Sequence, residues 1–378
     1  MVHAHPDRAS SDSSKWGKYA GRDVLPMWVA DADFVVDPAI TDALQQRVAH
    51  GVFGYGGVTE ALKEAIVRHC RDRYDWAVEQ DWIVLLPGVV PGLNFARAVS
   101  VLRGKHSGVV SMPNYPHLFK QPAMIPFTHH RVDCVWQGGR WTPDFVALDG
   151  AVDADTGLLL LCHPHNPLGR VHSEAELLAY HALAQKHDLL VCSDEIHCDL
   201  ILNGTRHRPF ASLNADALAR TITLMAPSKT WNIAGLCCAF AVIADAQLRH
   251  DFARVTVGMC DVNVLGTTAA LAALQHGEPW RQALLAYLRD NAHLAHTRIN
   301  AMPGLTMTEV EGTYLAWIDA RTLPVENAQR FFETHGVGLN DGADYGWPGF
   351  VRMNLACDKA LLDKALSRMA AAVATLSR

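Results

Sequence analysis

Asp194, Glu195 and His197 crowd into "SDEIHCDL", directly after the apolar run "LLVC", at the point where a core strand meets solvent. A carboxylate so close to a buried strand must be solvated, paired or used. Strand alternation turns Glu195 away from Asp194, which reads Glu195 as a structural or interface acid. A second reactive group stands in "MAPSKTWNIAG", where Lys229 follows a predicted strand between Pro227 and Gly235. In isolation such a lysine is a solvated strand end. Held near the core, its ammonium loses hydration, its pKa falls, and the amine becomes a nucleophile toward a carbonyl.

These groups need a scaffold that brings them together. The middle of the chain alternates short apolar runs with amphipathic stretches, the pattern of βαβ units in a mainly parallel sheet. "SGVVSM", "GLLLLC", "LLVCSD", "TITLMA" and "CAFAVIA" are the expected strands. "SEAELLAYHALAQKHD" is the crossover helix, opened by Ser173 and Glu176 in a capping-box arrangement. Ligands of open α/β sheets bind beyond the carboxyl ends of the strands, and Tyr115, Asn166, Asp194 and Lys229 all fall there. The expectation is one shared crevice. From "GEPWRQALLAYLRDNAHLAHTRINAM" onward the pattern changes to a long amphipathic helix, the expected strands "TYLAWIDA" and "FVRMNLAC", and a final Ala-rich helix, which predicts a smaller α+β domain.

A strand-end lysine with a carboxylate on a neighbouring strand end matches what pyridoxal 5'-phosphate requires: an amine for a Schiff base and an acid facing the pyridinium nitrogen. Asp194 would keep that nitrogen protonated, so the ring accepts the electron pair released at a substrate Cα. "LPGVVPGLNFARAV" adds a turn at Gly88 leading into a helix whose first amides can cradle a phosphate. His197 reads either as polar loop surface or as a hydrogen-bond partner of the cofactor's phenolic oxygen.

Composition narrows the class further. The 378 residues carry 33 basic and 39 acidic side chains, a net charge of −6, which does not suggest a polyanion-binding surface or a nucleic-acid partner. No apolar run approaches membrane-spanning length, and the polar start "MVHAHPDRASSDSSKWGKYAG" lacks a signal-peptide core, so the expected address is the cytoplasm. The nine cysteines lack C-x-x-C spacing and read as free thiols, with no metal site expected.

Across nearly its whole length the chain resembles the fold-type I pyridoxal-phosphate enzymes of the MalY/PatB cystathionine β-lyase group. "KWGKY", "MWVADADF", "FGYG", "WIVLLPGVVPGLN", "PNYPHLF", "HPHNPLGR", "SDEIHCDL", "PSKTWNIAGL", "EGTYLAWID" and "FVRMNLAC" occur in that group's order. The resemblance implies an α/β fold of the transferase-like type: a large cofactor-binding domain over 45–275 with a mainly parallel seven-stranded sheet. Residues 1–44 and 276–378 then form an N-terminal arm and a small C-terminal domain. It also implies that Lys229 is the Schiff-base lysine, Asp194 the pyridinium partner, Asn166 and His197 neighbours of the phenolic oxygen, and Tyr115 the ring's stacking partner. Gly88, Val89 and Val90 become the phosphate cup, Arg352 grips the substrate carboxylate with Asn166 and Tyr115 beside it, and Tyr55 reaches a phosphate across a homodimer interface.

Departures from the wider superfamily sharpen the reading. Gly235 is followed by Leu236 and Cys237 where many aminotransferases place a phosphate-binding arginine two residues after the glycine. Ala226 replaces a phosphate-binding serine of some relatives, leaving Ser228 or Thr230 for that contact. His163 replaces the group's usual asparagine. The expected activity is α,β-elimination on L-cystathionine or a related S-substituted cysteine, releasing thiol, pyruvate and ammonia. The alternatives are a class I/II aminotransferase and a non-catalytic regulator that retains the fold. The latter, in its fused form, would need a DNA-binding segment that is not evident here.

Overall fold

The computed structural model describes residues 6–57, 59–120 and 125–376. Seven strands build the main sheet: Ile83–Leu86 (β1), Ser107–Met112 (β2), Thr128–Asp133 (β3), Thr156–Cys162 (β4), Leu190–Asp194 (β5), Thr221–Met225 (β6) and Ala239–Val242 (β7). Their order is β1-β7-β6-β5-β4-β2-β3. β7 runs antiparallel to both neighbours, while the five strands from β6 to β3 pair in parallel. The sheet is therefore mainly parallel, as expected. Every residue of β2, β4 and β6 is buried, the signature of strands covered on both faces.

All five strands read from the apolar runs are present. The other two, β1 and β3, gave weaker signals: β1 has four residues, and β3 is an edge strand, "THHRVD", with only Val132 buried. Edge strands shed the apolar pattern because one side meets water. The crossover helix spans Glu174–Lys186 (α1), and its capping box closes as predicted: Ser173 accepts from the Glu176 amide while Glu176 accepts from the Ser173 amide.

A second, antiparallel sheet comprises Thr306–Met307 (β8), Leu315–Asp319 (β9), Asn340–Asp341 (β10) and Phe350–Asn354 (β11), in the order β8-β9-β11-β10. It packs with helices Glu278–Asn300 (α2) and Lys359–Thr375 (α3). α2 buries Trp280, Leu284, Leu285, Leu288, Ala292, Ala295 and Ile299, a stripe at helical spacing that faces this core. Leu25, Met27, Ala30, Ala32 and Phe34 enter the same hydrophobic core, so the N-terminal segment is built into it. Among the described residues no helix is long and apolar enough to cross a membrane.

Candidate active site

The sheet itself explains why the reactive residues meet. β2, β4, β5 and β6 are consecutive parallel neighbours, and Tyr115, Asn166, Asp194 and Lys229 lie at or just past their carboxyl ends. A cavity of about 360 Å³ opens there, lined by these four residues and by Gly88, Val89, Val90, His197, Ser228 and Arg352.

Asp194 is the last residue of β5 and is 3 % exposed. Its Oδ1 accepts one hydrogen bond, from the Ile196 amide at 3.2 Å. Burial pushes its pKa up to about 7; the Ile196 amide and Lys229 oppose this, and Glu195 adds to it. Such a carboxyl needs a cationic or proton-sharing partner to ionise cheaply. Lys229 sits in the turn after β6, and its Nζ donates to the Ala30 carbonyl at 2.7 Å. Burial lowers its pKa, Asp31 raises it, Arg352 lowers it and Asp194 raises it. Glu195 turns to the opposite side, as alternation predicted. It accepts from Ser193 Oγ and the Phe210 amide and contacts His207 Nε2 at 2.7 Å, all away from the cavity.

His197 is buried beside Tyr314, with its Nδ1 lacking a hydrogen-bond partner. Burial, then Lys229 and Arg352, drive its pKa down to about 3, so the ring is neutral at ordinary pH. Arg352 lies in β11, which pairs with β9 and β10 of the smaller sheet. Its Nη1 donates to Asn166 Oδ1 at 2.8 Å, and its Nη2 donates to Asn340 Oδ1 at 2.8 Å and to the Trp28 carbonyl at 3.1 Å. The guanidinium stands 4.6 Å over the Tyr345 ring, and its Nε has no partner. A buried cation whose neighbours are all neutral oxygens and an aromatic face suits a carboxylate ligand.

The other end of the cavity suits an anion of a different kind. Gly88 is the N-cap of the helix Val89–Leu102, and no side chain caps that end. A Cβ at Gly88 would meet only Pro91 Cδ, at 3.5 Å, so packing within the chain does not demand glycine. The uncapped amides carry the positive end of the helix dipole. Of the two hydroxyl candidates, Ser228 lines the cavity, while Thr230 is fully buried and outside the lining, its Oγ1 without a partner. Burial raises the Tyr115 phenol to about 12, so the ring lining the cavity is neutral. Tyr55 is fully exposed and lies outside the cavity within this single chain.

Sequence reasoning missed part of the wall. Trp28, Val29 and Ala30 line the cavity, as do Asn340 and Tyr345. Trp28 and Ala30 act through carbonyl oxygens, which side-chain identity does not advertise. Asn340 and Tyr345 lie just before β11, and proximity to Arg352 was the available signal. The donor set fits a phosphorylated pyridine aldehyde: an amine, a buried acid, a neutral histidine with an unpartnered ring nitrogen, and an uncapped helix start.

The family model for aminotransferase class I and II matches residues 24–369. Cystathionine beta-lyase PatB of Bacillus subtilis (strain 168) is 35% identical over 390 aligned positions, covering 97% of this chain and 98% of PatB. The crystal structure of OvoB superposes with a TM-score of 0.94 at 46% identity, over 97% of each chain. The PLP-bound C-S lyase from Staphylococcus hominis gives a TM-score of 0.90 at 28% identity, over 99% of this chain and 98% of its own. With the fold, the strand-end residues and these full-length likenesses in agreement, the chain belongs to the class I and II aminotransferase family, in the branch that contains PatB.

Proposed function

We propose that this chain is a pyridoxal 5'-phosphate-dependent carbon–sulfur β-lyase that converts L-cystathionine or a related S-substituted cysteine to thiol, pyruvate and ammonia. The observation that carries the reading is the meeting of Lys229, Asp194 and Arg352 in one cavity. Likeness to PatB and to a PLP-bound C-S lyase over nearly the whole chain supports it.

When bound, the cofactor supplies an electron sink for the pair left at the substrate Cα. Lys229 would hold it covalently, and as a free amine would take the Cα proton; a burial-lowered pKa keeps that amine available as a base. Asp194 would hold a proton at the ring nitrogen, and that partner would relieve the cost of its own buried charge. Arg352 orients the substrate by its carboxylate, with Asn166 held against the same guanidinium. His197, Asn166 and Tyr115, which line the cavity, would hold the cofactor ring, His197 and Asn166 toward its phenolic oxygen and Tyr115 against its face. Gly88, Val89, Val90 and Ser228 would hold the phosphate. The sulfur leaves as a thiolate, which needs no strong acid because thiols ionise readily.

The working unit we infer is a homodimer. Tyr55 is exposed, as are its chain neighbours Phe53, Val52 and Val48, apolar side chains that a second copy would cover while bringing Tyr55 to its phosphate. Residues 45–275 form the large domain, with 1–44 and 276–378 forming the arm and small domain; the core shared by Leu25–Phe34 and the second sheet supports that division. Nine free cysteines support a reducing compartment, the cytoplasm.

Product analysis tests the reaction. Incubation with L-cystathionine is expected to give homocysteine, pyruvate and ammonia in equal amounts. If cystathionine and S-alkyl cysteines yield no pyruvate while alanine or aspartate aminates an oxo acid, the chain is an aminotransferase instead.

A further inference from the structure

The segment between Pro26 and Asp37 has neither helix nor strand, yet it is tied down at almost every carbonyl. Trp28 accepts from Arg352, Ala30 from Lys229, and Ala32 and Phe34 from Asn232. Val29 and Asp31 accept from the Asn354 side-chain amide at 2.6 and 2.8 Å. The side chains of the same stretch are anchored elsewhere. Arg8 donates to Asp31 Oδ2 at 2.7 Å and to Asp33 Oδ1 at 2.9 Å, while Lys15, fully buried, donates to Asp33 Oδ2 at 2.6 Å. Arg8 also donates to the Ala32 carbonyl and to Ser13 Oγ. The guanidinium therefore clamps the residue next to the one whose carbonyl holds the Lys229 amine.

We propose that Arg8 is a positioning residue for Lys229: by neutralising Asp31, next to the Ala30 carbonyl that holds the lysine amine, it keeps that amine able to shed its proton. The charged and titratable groups around Lys229 are Asp31 from this segment, Asp194 from the end of β5, His197 beyond it and Arg352 from β11. Of these, His197 is neutral, and Asp194 and Arg352 are each assigned a ligand. Asp31 is the remaining anion, one residue from the Ala30 carbonyl that holds the amine, and it works against the burial that frees it. Arg8 is its ion-pair partner. Both side chains keep some contact with water, at 21% and 31% exposure, so solvent already screens part of the effect.

The proposal rests on the reading of Lys229 as the working amine, and its test reads the lysine directly. Two measurements on the full-length chain serve: the rate at which Lys229 of the cofactor-free protein is acetylated at fixed pH, followed by mass spectrometry, and the pH midpoint of the absorption change of the loaded enzyme. Arg8→Ala leaves Asp31 uncompensated and is expected to slow acetylation roughly threefold and to raise the midpoint. Asp31→Asn is expected to do the opposite, and Arg8→Lys to restore most of the wild-type rate. The double variant is expected to stay within about twofold of Asp31→Asn, because Arg8 then has no Asp31 charge to cancel. A merely structural Arg8 would lower the melting temperature without moving either readout, and that result overturns the proposal. So does a double variant that still shows the full Arg8→Ala slowing. If Arg8→Ala does not fold, Asp31→Asn decides alone, and an unchanged or slower acetylation rejects the idea. Failure of the underlying reading looks different: Lys229→Ala would retain cofactor and turnover, whatever the acetylation rates.

Discussion

Replacing Arg352 by lysine preserves the charge and removes the geometry. A guanidinium has five N–H donors. Three are spent on Asn166, Asn340 and Trp28 in the structure, which leaves two, including the unpartnered Nε, for a substrate carboxylate. An ammonium has three donors, and the same three oxygens can absorb all of them. The variant thus forfeits two charge-assisted hydrogen bonds to substrate, worth about 1.5–3 kcal/mol each, with part returned by the retained positive charge. It also loses the guanidinium contact over the Tyr345 ring. A net loss of about 3 kcal/mol corresponds to roughly two orders of magnitude in kcat/KM. Because the carboxylate fixes which Cα bond faces the ring, kcat should fall along with the rise in KM. Initial rates of pyruvate release over a range of L-cystathionine concentrations measure both. A drop of less than about fivefold, or a pure KM effect with kcat untouched, would refute the claim that the two-pronged grip sets the reacting geometry.

Three further expectations follow from the proposed site. Burial lifts Asp194 to about 7, so below its unfolded pKa it contributes no penalty, and the cofactor-free chain should lose stability as pH rises from about 4 to 7. Denaturant midpoints against pH should show that slope in the wild type and a flatter curve in Asp194→Asn, whose turnover should be nearly abolished; a pH slope unchanged by the substitution contradicts the assignment. Lys229→Ala should lose the borohydride-fixable bond to the cofactor and nearly all activity, and mixing it with an inactive Tyr55→Phe variant should recover some through hybrid dimers. A fully active monomer would dismiss the shared site.

The parts of the site readable in the sequence are those that a parallel sheet presents by rule. Tyr115, Asn166, Asp194 and Lys229 follow apolar runs, and the carboxyl ends of neighbouring parallel strands must face one crevice. The capping box of α1 was equally legible because Ser173 and Glu176 satisfy each other locally. What stayed hidden depends on backbone atoms or on position across the fold. Any residue at 28 or 30 offers the same carbonyl, so nothing in the letters marks Trp28 or Ala30 as acceptors for Arg352 and Lys229. The choice between Ser228 and Thr230 turned on which side of one turn faces the cavity, and two residues apart in an irregular segment the sequence carries no fixed alternation to decide it.

Arg352 reaches the cavity only because β11 is threaded between β9 and β10, and its guanidinium rests on a carbonyl supplied from residue 28. In chain order, Gly88, Asp194 and Lys229 are all made long before Arg352. A chain emerging from synthesis thus completes the helix start at Gly88, the strand end at Asp194 and the turn at Lys229 before the strand that carries Arg352. Under the proposed function, a substrate carboxylate would find its grip only once the smaller sheet has closed around β11. On that reading, selectivity would arrive with completion of the fold.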